Sequence, residues 1–191
     1  MQRLSTEGVE PVSLDEAKQA ARVDNDLGAS SSLDGLIATL ITTAREQAEQ
    51  LTGQLYRPQV WRTELDDWPS VDLVLPIYRA TACAVSYWNG ATFVLLSGGY
   101  LYAAGGAGGA GTVLAPATGA WPMLGTRAVG ARVRIDLTGG PESPAAVPAS
   151  VKTYILATVA AWLKTPEALA SAALGPHPLF VSLLNGEKLF S

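Results

Sequence analysis

The chain has almost no cysteine or histidine, the side chains most used in zinc centres, disulfides and catalytic triads. Of its 191 residues, one is cysteine (Cys83) and one is histidine (His177). A single cysteine excludes an internal disulfide and a cysteine-based zinc site. A single histidine excludes a multi-histidine metal centre. Its setting, Pro176-His177-Pro178, reads as a loop rather than as the base of a Ser-His-Asp triad. Long apolar runs are missing too. The N-terminus, MQRLSTEGVE, has no apolar core of the kind a signal peptide carries. The most apolar helical stretch, 153–163, lies between Lys152 and Lys164 and is too short to span a bilayer. A soluble, cytoplasmic protein with no membrane partner is expected.

Charge is also scarce. Asp, Glu, Lys and Arg make up 16% of the residues, where about 25% is usual. The net charge of −4 leaves no bulk positive charge for gripping nucleic acid. No charged residue occurs between Arg79 and Arg127, a gap of 47 residues. Such a segment is either buried on several sides or covered by other subunits. The remaining charge is divided: residues 1–72 hold 13 acidic and 6 basic side chains, and residues 73–191 hold 4 and 7. An acidic front and a mildly basic back suggest two unlike surfaces.

What is present reads as helix, then strands, then helix. Residues 1–12 look like a flexible arm. Ser13-Leu14-Asp15-Glu16 matches a capping box and opens a short helix running to about Val23. Ser31-Ser32-Leu33-Asp34 offers a second box. Behind it Leu33, Leu36, Ile37, Leu40, Ile41, Ala44, Ala48 and Leu51 recur at helical spacing, with Arg45, Glu46 and Glu49 on the polar side and Gly53 past the end. These elements define a helical part, 13–55.

An inserted β domain, 56–140, follows, with candidate strands at 60–65, 71–75, 82–88, 91–96, 100–102, 112–114 and 129–137. Asn89-Gly90 is the favoured pair for a two-residue hairpin turn. Prolines 69, 76, 116 and 122 punctuate the segment, as in an antiparallel sandwich or small barrel. Pro148 opens a final helix (147–165) that is apolar on nearly every side and therefore needs cover all round. A neighbouring subunit is a natural source of that cover, which makes Tyr154, Thr158 and Trp162 candidate interface residues. The tail, 166–191, ends with Leu179, Phe180, Val181, Leu183, Leu184, Leu189 and Phe190, a large apolar load that needs a docking place. The fold class expected is α+β: an N-terminal helix pair and a long C-terminal helix with an antiparallel β insertion.

No motif carries chemistry. Gly106 to Gly111 matches G-x-G-x-x-G, but a strand-like run ending in Pro116 follows it where a dinucleotide site needs a helix N-terminus. Glu64, Asp66 and Asp67 form the densest acidic cluster, without partners at calcium-loop spacing, and read as a solvated turn. Arg132 and Arg134 alternate with Val133 and Ile135, so they share one strand face, better suited to salt bridges than to phosphate. Tryptophans 61, 68, 88, 121 and 162 are scattered and read as packing. No catalytic residue, metal site or cofactor is expected, and the chain is not expected to be an enzyme.

Taken in order, these residues resemble the head–tail connector (adaptor) family of tailed bacteriophages and prophages. The resemblance runs through Leu14-Asp15-Glu16-Ala17-Lys18 with Arg22-Val23-Asp24, then the helix from Leu36-Ile37 to Thr52-Gly53. It continues through Trp61, Leu73-Val74-Leu75-Pro76, Val85-Ser86-Tyr87 with Asn89-Gly90, Tyr100, Pro116 and Trp121-Pro122. Val133-Arg134-Ile135, Gly139-Gly140 and Val147-Pro148 with Val151-Lys152 carry it to the last helix, covering roughly 13–164. The chain departs from the family pattern at Ile77-Tyr78-Arg79-Ala80 and in the Gly105–Gly111 loop. The resemblance implies a structural virion protein, assembled in the bacterial host cytoplasm and located in the virion neck. It implies a homo-oligomeric ring, on the order of twelve copies, with a different patch on each side of every subunit. The ring would sit beneath the portal protein, followed by a neck or tail protein, and DNA would pass through without sequence recognition. In that setting Leu179, Phe180, Val181, Leu183, Leu184, Leu189 and Phe190 become a candidate portal-contacting arm. Asp15, Glu16, Glu46 and Glu49 become candidate channel-facing acids, since a cationic lumen would grip DNA. A neck stopper or tail-completion protein is the alternative within such a particle, and a β-sandwich carbohydrate-binding module the alternative outside it.

Overall fold

The computed structural model describes residues 2–6, 8–22, 30–69, 73–78, 80–98, 100–103, 110–114, 120–164, 176 and 178–188. The fold is α+β, and the chain divides into two units whose segments interleave: Met1–Glu7 with Pro58–Gly140, and Gly8–Arg57 with Pro141–Ser191.

The first unit is antiparallel β structure. Its strands are β1 (Gln2–Thr6), β2 (Gln59–Leu65), β3 (Leu73–Tyr78), β4 (Ala80–Trp88), β5 (Phe93–Leu95), β6 (Leu101–Ala103), β7 (Ala110–Leu114) and β8 (Val133–Gly139). Five form one sheet in the order β1-β2-β8-β4-β5, and three form another in the order β3-β7-β6. The hydroxyls of Tyr100 and Tyr102 donate to the Cys83 and Ala80 carbonyls on β4, tying the β6 segment to the larger sheet. The central strand β8 alternates strictly: Val133, Ile135 and Leu137 are buried, while Arg134, Asp136 and Thr138 take the other face. Its register pairs Arg62 with Asp136 and Glu64 with Arg134, so opposite charges face each other across the β2–β8 ladder.

Two expectations fail in this unit. Residues 2–6 are the edge strand β1, paired with β2 from Gln2↔Arg62 to Thr6↔Gln59, and not a loose arm. The β4–β5 hairpin closes over Asn89–Thr92, and strand pairing ends at Trp88↔Phe93. The Asn89 side-chain oxygen accepts the N–H groups of both Ala91 and Thr92, and Gly90 takes φ +109°. Asparagine thus builds the turn through its side chain.

The second unit is helical: α1 (Leu14–Ala21), α2 (Ser30–Thr52), α3 (Ala149–Lys164) and the short α4 (Pro178–Val181), which runs into a 3-10 helix (Ser182–Glu187). The capping box at α1 is present. The Glu16 N–H donates to the Ser13 hydroxyl, and the Ser13 N–H donates to the Glu16 carboxylate at 2.7 Å. Gly53, at φ +72°, ends α2 and donates its N–H to the Glu49 carbonyl. Along α2, Ile37, Leu40, Ile41, Ala44 and Ala48 are buried, whereas Leu33 and Leu36 are exposed. Helix α3 packs on α1, α2 and the 3-10 helix.

That packing corrects the reading of α3. Tyr154, Thr158 and Trp162 are 0%, 0% and 5% exposed in the single chain, so the chain itself supplies the cover expected from a second subunit. Val12 and Ala17 from the N-terminal side and Leu184 from the C-terminal side complete the same core. Residues 8–12 are therefore tied down as well: Pro11 and Val12 are buried.

Candidate functional site

Among the described residues no group of three or more His, Cys, Asp or Glu side chains could hold a metal ion, and no helix is long and apolar enough to cross a membrane. His177 lies outside the described residues, as does the stretch 104–109 of the glycine-rich loop. The features that remain are one internal charge cluster and several surfaces.

The cluster sits in the helical unit. Arg45, expected on the polar side of α2, is 1% exposed. Its Nε donates to Glu10 at 2.9 Å and its Nη1 to Glu49 at 2.6 Å, with Glu46 at 3.5 Å. Glu10 also accepts from Arg57 Nη1 at 2.7 Å and from the Thr42 hydroxyl, and Arg57 Nη2 donates to the Gly8 carbonyl. The second oxygen of Glu49 accepts the Tyr56 N–H. Burial pushes the Arg45 guanidinium down, but Glu49 and Glu10 outweigh it and hold its pKa above the ordinary value. A buried cation held this way is structural. It fastens residues 8–10 and 56–57, the segments at which the chain first enters and then leaves the helical unit.

The four candidate channel acids therefore differ. Asp15 and Glu16 are exposed on α1. Hydrogen bonds from the Ser13 backbone and hydroxyl hold the Glu16 carboxyl below its ordinary pKa. Glu46 is half-buried beside Arg45. Glu49 is only 10% exposed, with its carboxylate committed to Arg45 and Tyr56, because the spacing i,i+4 on α2 turns it onto the buried guanidinium. It belongs to the interior of the unit and not to an open surface.

The candidate tail residues separate in the same way. Leu184 is 0% exposed in the helical core, Phe180 is partly buried against that core, and Val181 is half-buried. Leu179 at 76% and Leu183 at 36% stand exposed. Leu189 and Phe190 lie outside the described residues. The Glu187 carbonyl accepts from the Gln54 side-chain amide, a further fastening of this segment onto the end of α2.

In the β unit, the outward face of β2 and β8 is an ion-pair ladder. Arg62 holds Asp136 through two 2.7 Å hydrogen bonds, and Arg134 donates to Glu64 at 2.8 Å. Arg132 bonds the Asp66 carbonyl and the Asp67 carboxylate. Glu64 and Asp67 thus neutralise the arginine face that phosphate would otherwise use.

The segment 120–132 lies over the β4–β5 hairpin and forms no strand. Trp121 stacks on Trp68 at 4.5 Å, and the Trp68 indole donates to the Pro122 carbonyl. Gly125 donates to the Trp88 carbonyl, and the Trp88 indole to that of Thr126. The Arg127 guanidinium sits 4.9 Å above the Trp88 ring and 5.1 Å above Phe93, and it also bonds the Ala131 carbonyl. Held at these points, the segment presents Met123 at 91% and Val129 at 85% exposure. Nothing in the local sequence marks these two residues beyond the charge-free stretch in which Met123 lies.

No protein-family model matches the chain, and no curated protein does. Solved structures do. A chain from the neck of an empty gene transfer agent (GTA) particle, computed with C6 symmetry, superposes with a TM-score of 0.75 at 18% identity, over 100% of this chain and 97% of that one. A chain from the virion of a native gene transfer agent particle gives 0.74 at 19%, and one from the neck of a native GTA particle, computed with C12 symmetry, gives 0.68 at 19%, both with the same coverage. From end to end, this chain has the fold of a protein built into those particles.

Proposed function

We propose that this chain is a structural protein of a phage-like virion neck and, within the neck, the head–tail connector (adaptor). The observation that carries the reading is the full-length correspondence of fold, 100% of this chain against 97% of a neck chain at TM-score 0.75. The internal chemistry agrees with a scaffold: the buried Arg45 is consumed in ion pairs with Glu10 and Glu49, and among the described residues no constellation for acid–base or nucleophilic work accompanies it.

In this reading the copies form a closed ring, for which the C6 and C12 symmetries of the similar necks are the support. The exposed Leu179 and Leu183 are the part of the tail left to meet a portal protein, while Leu184 anchors the segment. Asp15 and Glu16 are the acids left to face passing DNA. Deleting the gene in a particle-producing strain should leave DNA-filled heads without tails, and antibody against the chain should label intact particles at the head–tail junction. Normal tailed particles from the deletion strain would overturn the proposal. Capture of the wild-type chain by immobilised portal protein, lost in a Leu179→Glu, Leu183→Glu variant, separates the adaptor from a stopper, which would bind only to the completed adaptor.

A further inference from the structure

The segment without charge is not explained by burial inside the chain. Asn89, Gly90, Ala91, Thr92, Leu95, Ser97 and Gly98 are exposed, and so are Ala120, Met123 and Thr126. All lie within the 47 residues between Arg79 and Arg127. A solvated surface of this kind ordinarily carries Lys, Glu, Asp and Arg. Charge-depleted surface with projecting apolar side chains is the mark of a contact.

The positions of the exposed apolar residues add a direction. In the β unit, the described large apolar side chains left exposed are Leu4, Leu95, Met123 and Val129, at 43%, 61%, 91% and 85%. Leu4 is on β1, one edge of the five-stranded sheet. Leu95 is on β5, the opposite edge, and Met123 and Val129 project from the segment bonded to the β4–β5 hairpin. Between these edges β2 and β8 carry the Arg62–Asp136 and Arg134–Glu64 pairs, and the Arg134 guanidinium reaches across to lie 3.7 Å from the Phe93 ring centroid on β5. One exposed leucine on one edge, and three exposed apolar side chains on or bonded to the other, make two unlike surfaces on opposite sides of one sheet, as a head-to-tail, heterologous contact requires; an isologous dimer needs only one self-complementary surface.

We infer that the two edges of this sheet are the two halves of a contact between copies of this chain, Leu4 of one copy meeting the Leu95, Met123 and Val129 patch of the next. The inference rests on the ring reading above and specifies its surface. The contact is made by side chains and not by a continuous sheet. The β1 register shifts between Arg3 and Ser5, and β5 is three residues long, both features that discourage strand pairing across an edge. The anchoring of segment 120–132 by Gly125, Trp88 and Arg127 means that little ordering entropy is lost on contact.

The test is sedimentation analysis and native mass spectrometry of the full chain in three forms: wild type, Leu4→Glu, and Met123→Glu with Val129→Glu. All substituted side chains are exposed, so thermal melts should match wild type; Leu4→Ser replaces Leu4→Glu if that melt drops. Wild type should form rings or open oligomers, and each variant should self-associate at least about tenfold more weakly, since a carboxylate would be buried without a partner. An equimolar mixture of the two variants should give a one-to-one dimer and nothing larger, because each retains one intact edge. Wild-type rings with both variants assembling equally well would overturn the surface and leave the ring reading standing. A wild-type chain that stays monomeric at millimolar concentration would overturn the inference, while the neck reading is judged by the gene-deletion particles.

Discussion

Gly125 rests backbone to backbone on Gly90. A Cβ built on Gly125 would fall 2.5 Å from the Asn89 carbonyl carbon, and nearer still to the backbone N and Cα of Gly90. No flexible side chain stands there to yield. Gly125→Ala must therefore displace either the hairpin or segment 120–132, with a loss of about 1–3 kcal/mol in urea unfolding. Amide exchange should accelerate at Gly125, whose N–H donates to the Trp88 carbonyl.

The Arg45 cluster predicts a larger loss. Arg45→Ala leaves Glu10 and Glu49 facing each other around an emptied site, and removing one partner of a buried ion pair costs about 3–5 kcal/mol. Arg45→Lys should recover only part of this, because one ammonium cannot reproduce the two-sided fork that meets Glu10 and Glu49. Urea midpoints of the two variants check the order.

At the C-terminal end two leucines five residues apart should behave oppositely. Leu184→Ala opens a cavity in the helical core and should cost about 2–5 kcal/mol. Leu179→Ala, at an exposed position, should stay within about 0.5 kcal/mol of wild type.

The pH profile should bend at both ends. Glu16, held below its ordinary pKa by Ser13, contributes stability that is present above the unfolded value of 4.5 and lost as the pH falls below it. Ser13→Ala should flatten that limb and remove about 1 kcal/mol of helix capping at neutral pH. On the alkaline side, burial and the nearby Asp136 push the Cys83 thiol from 9.0 up to about 11, and burial raises the Tyr100 and Tyr154 phenols. The unfolded chain releases these protons first, so stability should fall as the pH rises above 9. Cys83 should also react slowly with a thiol reagent at pH 8.5, where less than about 1% of it is thiolate.

Local signals in the sequence marked the capping box at Ser13, the Gly53 helix end and the alternation of β8, because each is written within a few residues. What escaped depends on partners far along the chain. The segment 2–6 carries no strong strand signal, and its strand exists because residues 59–62 of β2 pair with it. Arg45 looks solvent-facing by helical spacing alone; Glu10, 35 residues earlier in what reads as a loose arm, is what allows it to be buried. The largely apolar α3 pointed to burial on most of its sides, which holds except around Thr153 and Lys164, but its pattern could not say that Val12 and Leu184 would supply part of the cover. The surface readings suffered most, since the Glu49 carboxylate and the Tyr154, Thr158 and Trp162 side chains turn inward.

The interleaving of the two units has a consequence for synthesis on the ribosome. The β unit lacks its central strand until Val133–Gly139 emerges, so β1, made first, waits for most of the chain. The helical unit waits longer, because its core includes Leu184. A nascent chain arrested anywhere in 165–183 would carry a complete β unit joined to helices α1 to α3 that still lack the cover of Leu184. Such fragments expose part of the apolar surface of α2 and α3, and quality-control proteases should remove them faster than the full chain.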